Sequence, residues 1–219
     1  MIKAVIFDMD GVLVDSEPET LKQRLGYFEQ LGIEVTPELG AKMIGLNLSS
    51  LWPQVLPGKT DATYQQLQDE YVTYKHAHPF NYAAVMQPTV REFFDWLKKH
   101  GYRIAIASAS DHEFIAMMGR QTGLADDIDV ITSGTDFERS KPDPAVYLAT
   151  LQKLGLDADE AVAVEDSAVG IQAAKAAGLV TFAVPIRDPR FAQDQGAADY
   201  RVPNLMAIHT YLQAEGGPR

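Results

Sequence analysis

The chain has 219 residues, 46% apolar and 22% charged, enough to bury one α/β core with a modest insertion. Its 19 Lys and Arg face 30 Asp and Glu, and the net charge of −11 argues against nucleic acid and membrane surfaces as partners. With no cysteine, disulfides, thiolate nucleophiles and zinc–thiolate sites are excluded, and the lack of a basic leader or an apolar run of about 18 residues points to a soluble, cytoplasmic protein.

The first element lies in "KAVIFDMDGVLVDSEP" (Lys3–Pro18). Ala4–Phe7 reads as a buried strand that runs directly into Asp8 and Asp10, followed by Gly11. From Ser16 to about Ala83 no good strand occurs. That interval carries helical patterns at Glu19–Leu31, at Pro37–Met43 behind a Thr36 cap, and at Asp61–Ala77. Beyond it, strands and helices alternate. Helix Arg91–His100 stops at Gly101, strand Arg103–Ala107 leads into Ser108, Ala109 and Ser110, and helix Glu113–Thr122 stops at Gly123. Strand Val130–Thr132 is followed by "SKPDP" with Lys141, where Asp143 as cap and Pro144 in the first turn start a helix ending near Gly155. Strand Ala161–Val164 runs into Glu165 and Asp166, Ser167 caps helix Ala168–Ala177, and Val180–Val184 is the fifth strand. The terminal "EGGPR" reads as a frayed tail.

This alternation implies right-handed crossovers and a doubly wound parallel sheet, interrupted after its first strand by a small all-helical domain. The boundaries follow: a core of residues 1–15 and 84–219, and an insertion of 16–83.

In open α/β sheets, ligands bind beyond the carboxyl ends of the strands. The residues expected there are Asp8, Asp10, Ser108, Lys141, Glu165 and Asp166. Asp8 and Asp10, two apart in extended chain, start toward the same side. Two unit charges about 4 Å apart repel by roughly 4 kcal/mol at an effective dielectric near 20, so four gathered carboxylates need compensation. A hard divalent cation supplies it. Magnesium takes carboxylates, carbonyls and waters and leaves positions for a substrate phosphate, whose other oxygens Lys141 and the Ser108 hydroxyl can meet.

Four motifs in order, "DMDGVLVDSEP", "IASAS", "SKPDP" and "VEDSAVGIQAAKAAG", resemble the haloacid dehalogenase superfamily in its phosphatase and phosphomutase branch. The resemblance spans nearly the whole chain. It implies a Rossmann-like doubly wound core with an inserted helical cap. It also implies Asp8 as nucleophile through an aspartyl-phosphate, and Asp10 as the acid that protonates the leaving oxygen and then activates water. Gly11 leaves room for the turn, while Ser108, Ala109 and Lys141 bind the phosphoryl group. Mg2+ is implied on the Asp8 carboxylate, the Asp10 carbonyl and Asp166, with Glu165 a direct or water-mediated ligand.

Blander readings exist for each residue. Asp8 also suits a strand-end cap, Ser108 and Ser110 suit a turn, Lys141 suits a surface, and Glu165 and Asp166 suit a helix N-terminus. His76 and His78 are two apart on a helix and do not share a face, so they read as structural, as do Trp52 and Trp96. Asp10 favours phosphoryl transfer over dehalogenation, because the dehalogenases proper need neither acid nor metal.

β-Phosphoglucomutases of the branch carry a histidine where this chain has Thr20, and a cap arginine that "MIGLNLSS" lacks. Hydrolysis of a small phosphorylated metabolite, a sugar phosphate above all, is therefore expected ahead of a phosphomutase or a non-catalytic binding protein. "DMDGV" is no Gly-x-Gly-x-x-Gly turn, which argues against a dinucleotide cofactor. Gly26, Lys42, Gly45 and Asn47 are the candidates for cap selectivity, and the chain is expected as a monomer or weak dimer.

Overall fold

The computed structural model describes residues 1–45 and 48–215. Asn47 and the end of the tail lie outside the described residues, as do the side-chain surroundings of Lys42 and Gly45. The chain divides into two compact units, residues 1–15 with 82–219, and residues 16–81.

After β1 (Ala4–Phe7) the chain enters the helical unit, α1 (Glu17–Gln30), α2 (Pro37–Gly45), α3 (Leu48–Val55) and α4 (Asp61–Ala77). The core unit continues through α5 (Val90–Lys99), β2 (Arg103–Ser108), α6 (His112–Thr122), β3 (Val130–Ser133), α7 (Ala145–Leu154), β4 (Ala161–Glu165), α8 (Ala168–Ala176), β5 (Val180–Ala183), β6 (Tyr200–Arg201) and α9 (Ile208–Ala214).

Among the described residues the strands form one six-stranded sheet in the order β3-β2-β1-β4-β5-β6, with every pairing parallel. Connections run outward from β1 to β3 on one side and resume at β4 on the other, so the topological switch falls between β1 and β4. Register aligns Phe7 with both Ile106 and Val164, which sets Asp8 level with Glu165. The Asp8 N–H donates to Val164 O at 2.9 Å.

The strands read as unbroken apolar runs because both sheet faces are covered. On one face Ala4, Ile6, Ala105, Ala107, Ala161 and Ala163 form a core with Tyr147 and Leu151 of α7 and Ala173 and Ala174 of α8. The many alanines let these helices approach closely. On the opposite face Phe7 meets Phe93 and Phe94 of α5, at ring-centroid distances of 6.0 and 5.2 Å. Each fully buried aromatic of this kind is worth about 1.5–3 kcal/mol.

The helical unit has its own core of Tyr27, Phe28, Met43, Leu48, Leu51, Trp52 and Tyr71. Gly26 is a packing position there: a Cβ would lie 2.5 Å from the Tyr74 hydroxyl. His78 stacks on Tyr74 at 4.0 Å and Trp52 is fully buried, in keeping with structural roles.

Several elements differ from the sequence reading. Strands β2, β3 and β4 each reach one residue further than expected, so Ser108 and Glu165 are the last residues of their strands. The two-residue β6 and the helix α3, which contains Pro53, were not anticipated. Pro144 rather than Asp143 occupies the N-cap of α7, yet the Asp143 carboxylate still accepts the Ala145 N–H at 3.0 Å.

Candidate active site

Asp8 leaves β1 at the switch point, nine-tenths buried. Lys141, on the loop between β3 and α7, reaches back to it: its Nζ donates to Asp8 Oδ1 at 2.6 Å, to Glu165 Oε1 at 2.7 Å and to the Ala107 carbonyl at 2.9 Å. Those three short bonds match the three N–H groups of the ammonium, and the Tyr147 hydroxyl is a fourth, longer acceptor at 3.4 Å. Both ion pairs are enclosed, with the Lys141 side chain 7% exposed and that of Glu165 0%.

Glu165 is fixed from all sides. Tyr147 donates its hydroxyl to Oε1 at 2.7 Å, and Oε2 accepts the N–H groups of Asp166 and Ser167 and the Ser167 hydroxyl at 3.1, 3.4 and 3.2 Å. Ser167 also caps α8 by accepting the Gly170 N–H. Gly170 makes room for the carboxylate, since a Cβ there would lie 2.0 Å from Glu165 Oε1. Gly11 serves Asp166 similarly: its φ is +84° and a Cβ would lie 2.0 Å from Asp166 Oδ2. Gln87 donates to the Gly11 carbonyl at 3.1 Å, and Gln195 bridges the carbonyls of Asp166 and Val184, both at 2.7 Å.

Asp8, Glu165 and Asp166 each place a carboxylate oxygen within 4.8 Å of the others. Buried, anionic, all-oxygen donors suit a hard divalent cation, and the glycine cradles leave both flanking carboxylates the space they occupy. The side chain of Asp10 is not in that group. It lies half-buried beside it, and Ser110 donates its hydroxyl to Asp10 Oδ2 at 2.8 Å. The buried Ser108 hydroxyl accepts the Ser110 N–H at 3.1 Å, and Ala109 between them is exposed. In the sequence Ser110 reads as a turn residue, and Tyr147, Gln195 and Gly170 do not stand out.

Burial pushes the Asp8 carboxyl up to about 7; Lys141 opposes this, while Glu165 and Asp10 push the same way. The lysine cannot fully offset the burial, because Glu165 shares it. Burial also works against the Lys141 charge, but Asp8 and Glu165 outweigh it and hold the ammonium well above the ordinary lysine range. Burial and then Glu165 push Tyr147 well above the usual tyrosine value, so its hydroxyl stays protonated and donates.

A family model described as haloacid dehalogenase-like hydrolase matches residues 5–184. Hexitol phosphatase B of Escherichia coli (strain K12) is 32% identical over 220 residues, 94% of each chain. The phosphorylated carbohydrates phosphatase of Thermotoga maritima is 29% identical over 178 residues, 81% of this chain and 82% of its own. A β-phosphoglucomutase from Clostridium difficile superposes with a TM-score of 0.77 at 19% identity, over 98% of this chain and 97% of its own, a likeness of fold. The chain belongs to the haloacid dehalogenase-like hydrolase family, and its relatives there include phosphatases.

Proposed function

We propose that the protein is a magnesium-dependent phosphatase that hydrolyses a small phosphorylated metabolite, a sugar phosphate in particular, by way of an aspartyl-phosphate on Asp8. The observation that carries this reading is Lys141, bonded at once to Asp8 and Glu165 with Asp166 alongside, where an uncompensated acidic cluster would be costly. The activities for which the hexitol and phosphorylated-carbohydrate phosphatases are named support the substrate class.

The steps run on this chain's own groups. Asp8 attacks phosphorus as its carboxylate, and the bond from phosphorus to the sugar oxygen breaks. Asp10 delivers its proton to that leaving oxygen. The same carboxylate, now ionised and held by Ser110, takes a proton from water as the water attacks phosphorus; inorganic phosphate leaves and Asp8 is regenerated. Lys141 and Ser108 orient the phosphoryl oxygens. Magnesium would be held by Asp8, Asp166 and the Asp10 carbonyl, with Glu165 adjacent, and when bound it neutralises charge on the transferring group. The helical insertion, residues 16–81, is proposed as the cap that selects among substrates.

Purified protein should release phosphate from an aryl phosphate with magnesium and stop when chelator is added. Among hexitol, hexose and pentose phosphates and phosphoglycolate, one class should stand out in kcat/KM. β-Glucose 1-phosphate belongs in the same panel, with isomerised product assayed, because its formation would favour the phosphomutase reading. A folded, magnesium-supplied protein that hydrolyses nothing in the panel would replace this reading with that of a binding protein.

A further inference from the structure

We infer that Tyr147 is a positioning residue for phosphoryl transfer: its hydroxyl takes part of the load at Glu165 Oε1, so that Lys141 stays shared between Glu165 and Asp8. This rests on the function proposed above and assigns a role to a side chain outside the expected catalytic set.

Glu165 is fully buried, and among the described residues its Oε1 accepts from two donors, Lys141 Nζ and Tyr147 OH, both at 2.7 Å; the Tyr147 oxygen is itself a long acceptor for Lys141 Nζ at 3.4 Å. The other oxygen is occupied by backbone and Ser167 donors and cannot relieve it. A buried carboxylate that loses one of two donors to an oxygen draws the remaining one closer. That remaining donor is the ammonium that also contacts Asp8 at 2.6 Å, the group read here as the nucleophile. Substrate also needs this ammonium to turn an N–H toward a phosphoryl oxygen, because its three N–H groups are already engaged. A tyrosine that satisfies Glu165 independently frees the lysine for both tasks.

The aromatic ring has a separate effect. Lys141 Nζ lies 5.0 Å from its centroid, within cation–π range. Tyr147→Phe keeps the ring and removes only the hydroxyl, and Tyr147→Leu removes both. The fully buried position on α7 holds a phenylalanine without new volume.

The test combines kinetics with structure. With an aryl phosphate and saturating magnesium, Tyr147→Phe is expected to lower kcat about tenfold, the size of one lost hydrogen bond to a charged group, while KM changes less than twofold. Tyr147→Leu should lower kcat further. In a crystal structure of Tyr147→Phe, the Lys141–Asp8 contact should open beyond hydrogen-bond distance while the Lys141–Glu165 contact persists. The inference is overturned if kcat is unchanged, or if the Lys141–Asp8 contact survives intact. A variant with a lower melting temperature but wild-type kcat per folded molecule would mark Tyr147 as packing alone. If wild type itself proves inactive, the functional reading fails, and the crystallographic distance alone decides whether Tyr147 positions Lys141.

Discussion

At the residue scale, the strongest physical anomaly is a buried carboxylate with its titration point at about 7. In the unfolded chain the same group titrates near 3.8, so between those values the metal-free folded state holds the extra proton. Its contribution to stability is therefore full below pH 3.8 and is lost as pH rises toward 7, roughly 2–4 kcal/mol in all. Lys141 titrates far above this window and does not disturb it. The melting temperature of wild type minus that of Asp8→Asn, measured in chelator, should fall between pH 4 and 7.5; a flat difference would contradict the burial argument.

A second residue carries backbone strain. Thr89, at the start of α5, has φ +69°, a conformation costly for a β-branched residue, and its buried hydroxyl has no hydrogen-bond partner among the described residues. Thr89→Gly should stabilise by about 1 kcal/mol, a rise of roughly 2–4 °C by calorimetry. Asp8, Asp10 and Asp166 stood out in the sequence because acid follows directly on a buried strand, whereas Lys141, eight residues past the end of β3, stood out only through the "SKPDP" motif. Tyr147 did not, because "KPDPAVY" reads locally as an ordinary helix start and its partner Glu165 is 18 residues away.

At the element scale, α8 does more than cover the sheet. Its Ser167 cap and the space left by Gly170 fix Glu165, and that carboxylate has no room to yield because donors hold both oxygens. Gly170→Ala should therefore lower kcat at least tenfold and cost about 1–3 kcal/mol in stability. Steady-state kinetics and denaturant melts check both, and a variant matching wild type in each would show that Glu165 can move freely. Elements buried on both faces were readable from their apolar runs, and β1 spans Ala4–Phe7 as expected. β6 has two exposed residues and no apolar run, so only its pairing with β5 reveals it. Pro53, a residue that normally ends helices, hid α3.

At the scale of the whole molecule, the site draws on segments far apart in sequence, yet Asp8, Lys141, Glu165 and Asp166 all belong to the core unit. Among the described residues no helix is long and apolar enough to cross a membrane. A cation that binds the folded chain alone stabilises it by about 2.7 kcal/mol at 100 times its dissociation constant, a rise of roughly 5–10 °C. Magnesium should produce that rise in wild type and much less of it in Asp166→Asn, as read by differential scanning calorimetry. Equal shifts in both would place the cation elsewhere.

The most direct measurement is acid quench during turnover of an aryl phosphate, followed by peptide mass analysis. The peptide containing Asp8 should carry one phosphoryl group with magnesium present, should convert to homoserine at that position after borohydride reduction, and should stay unmodified in Asp8→Asn. A wild-type enzyme that turns over substrate while this peptide remains unmodified at every quench time would contradict the account.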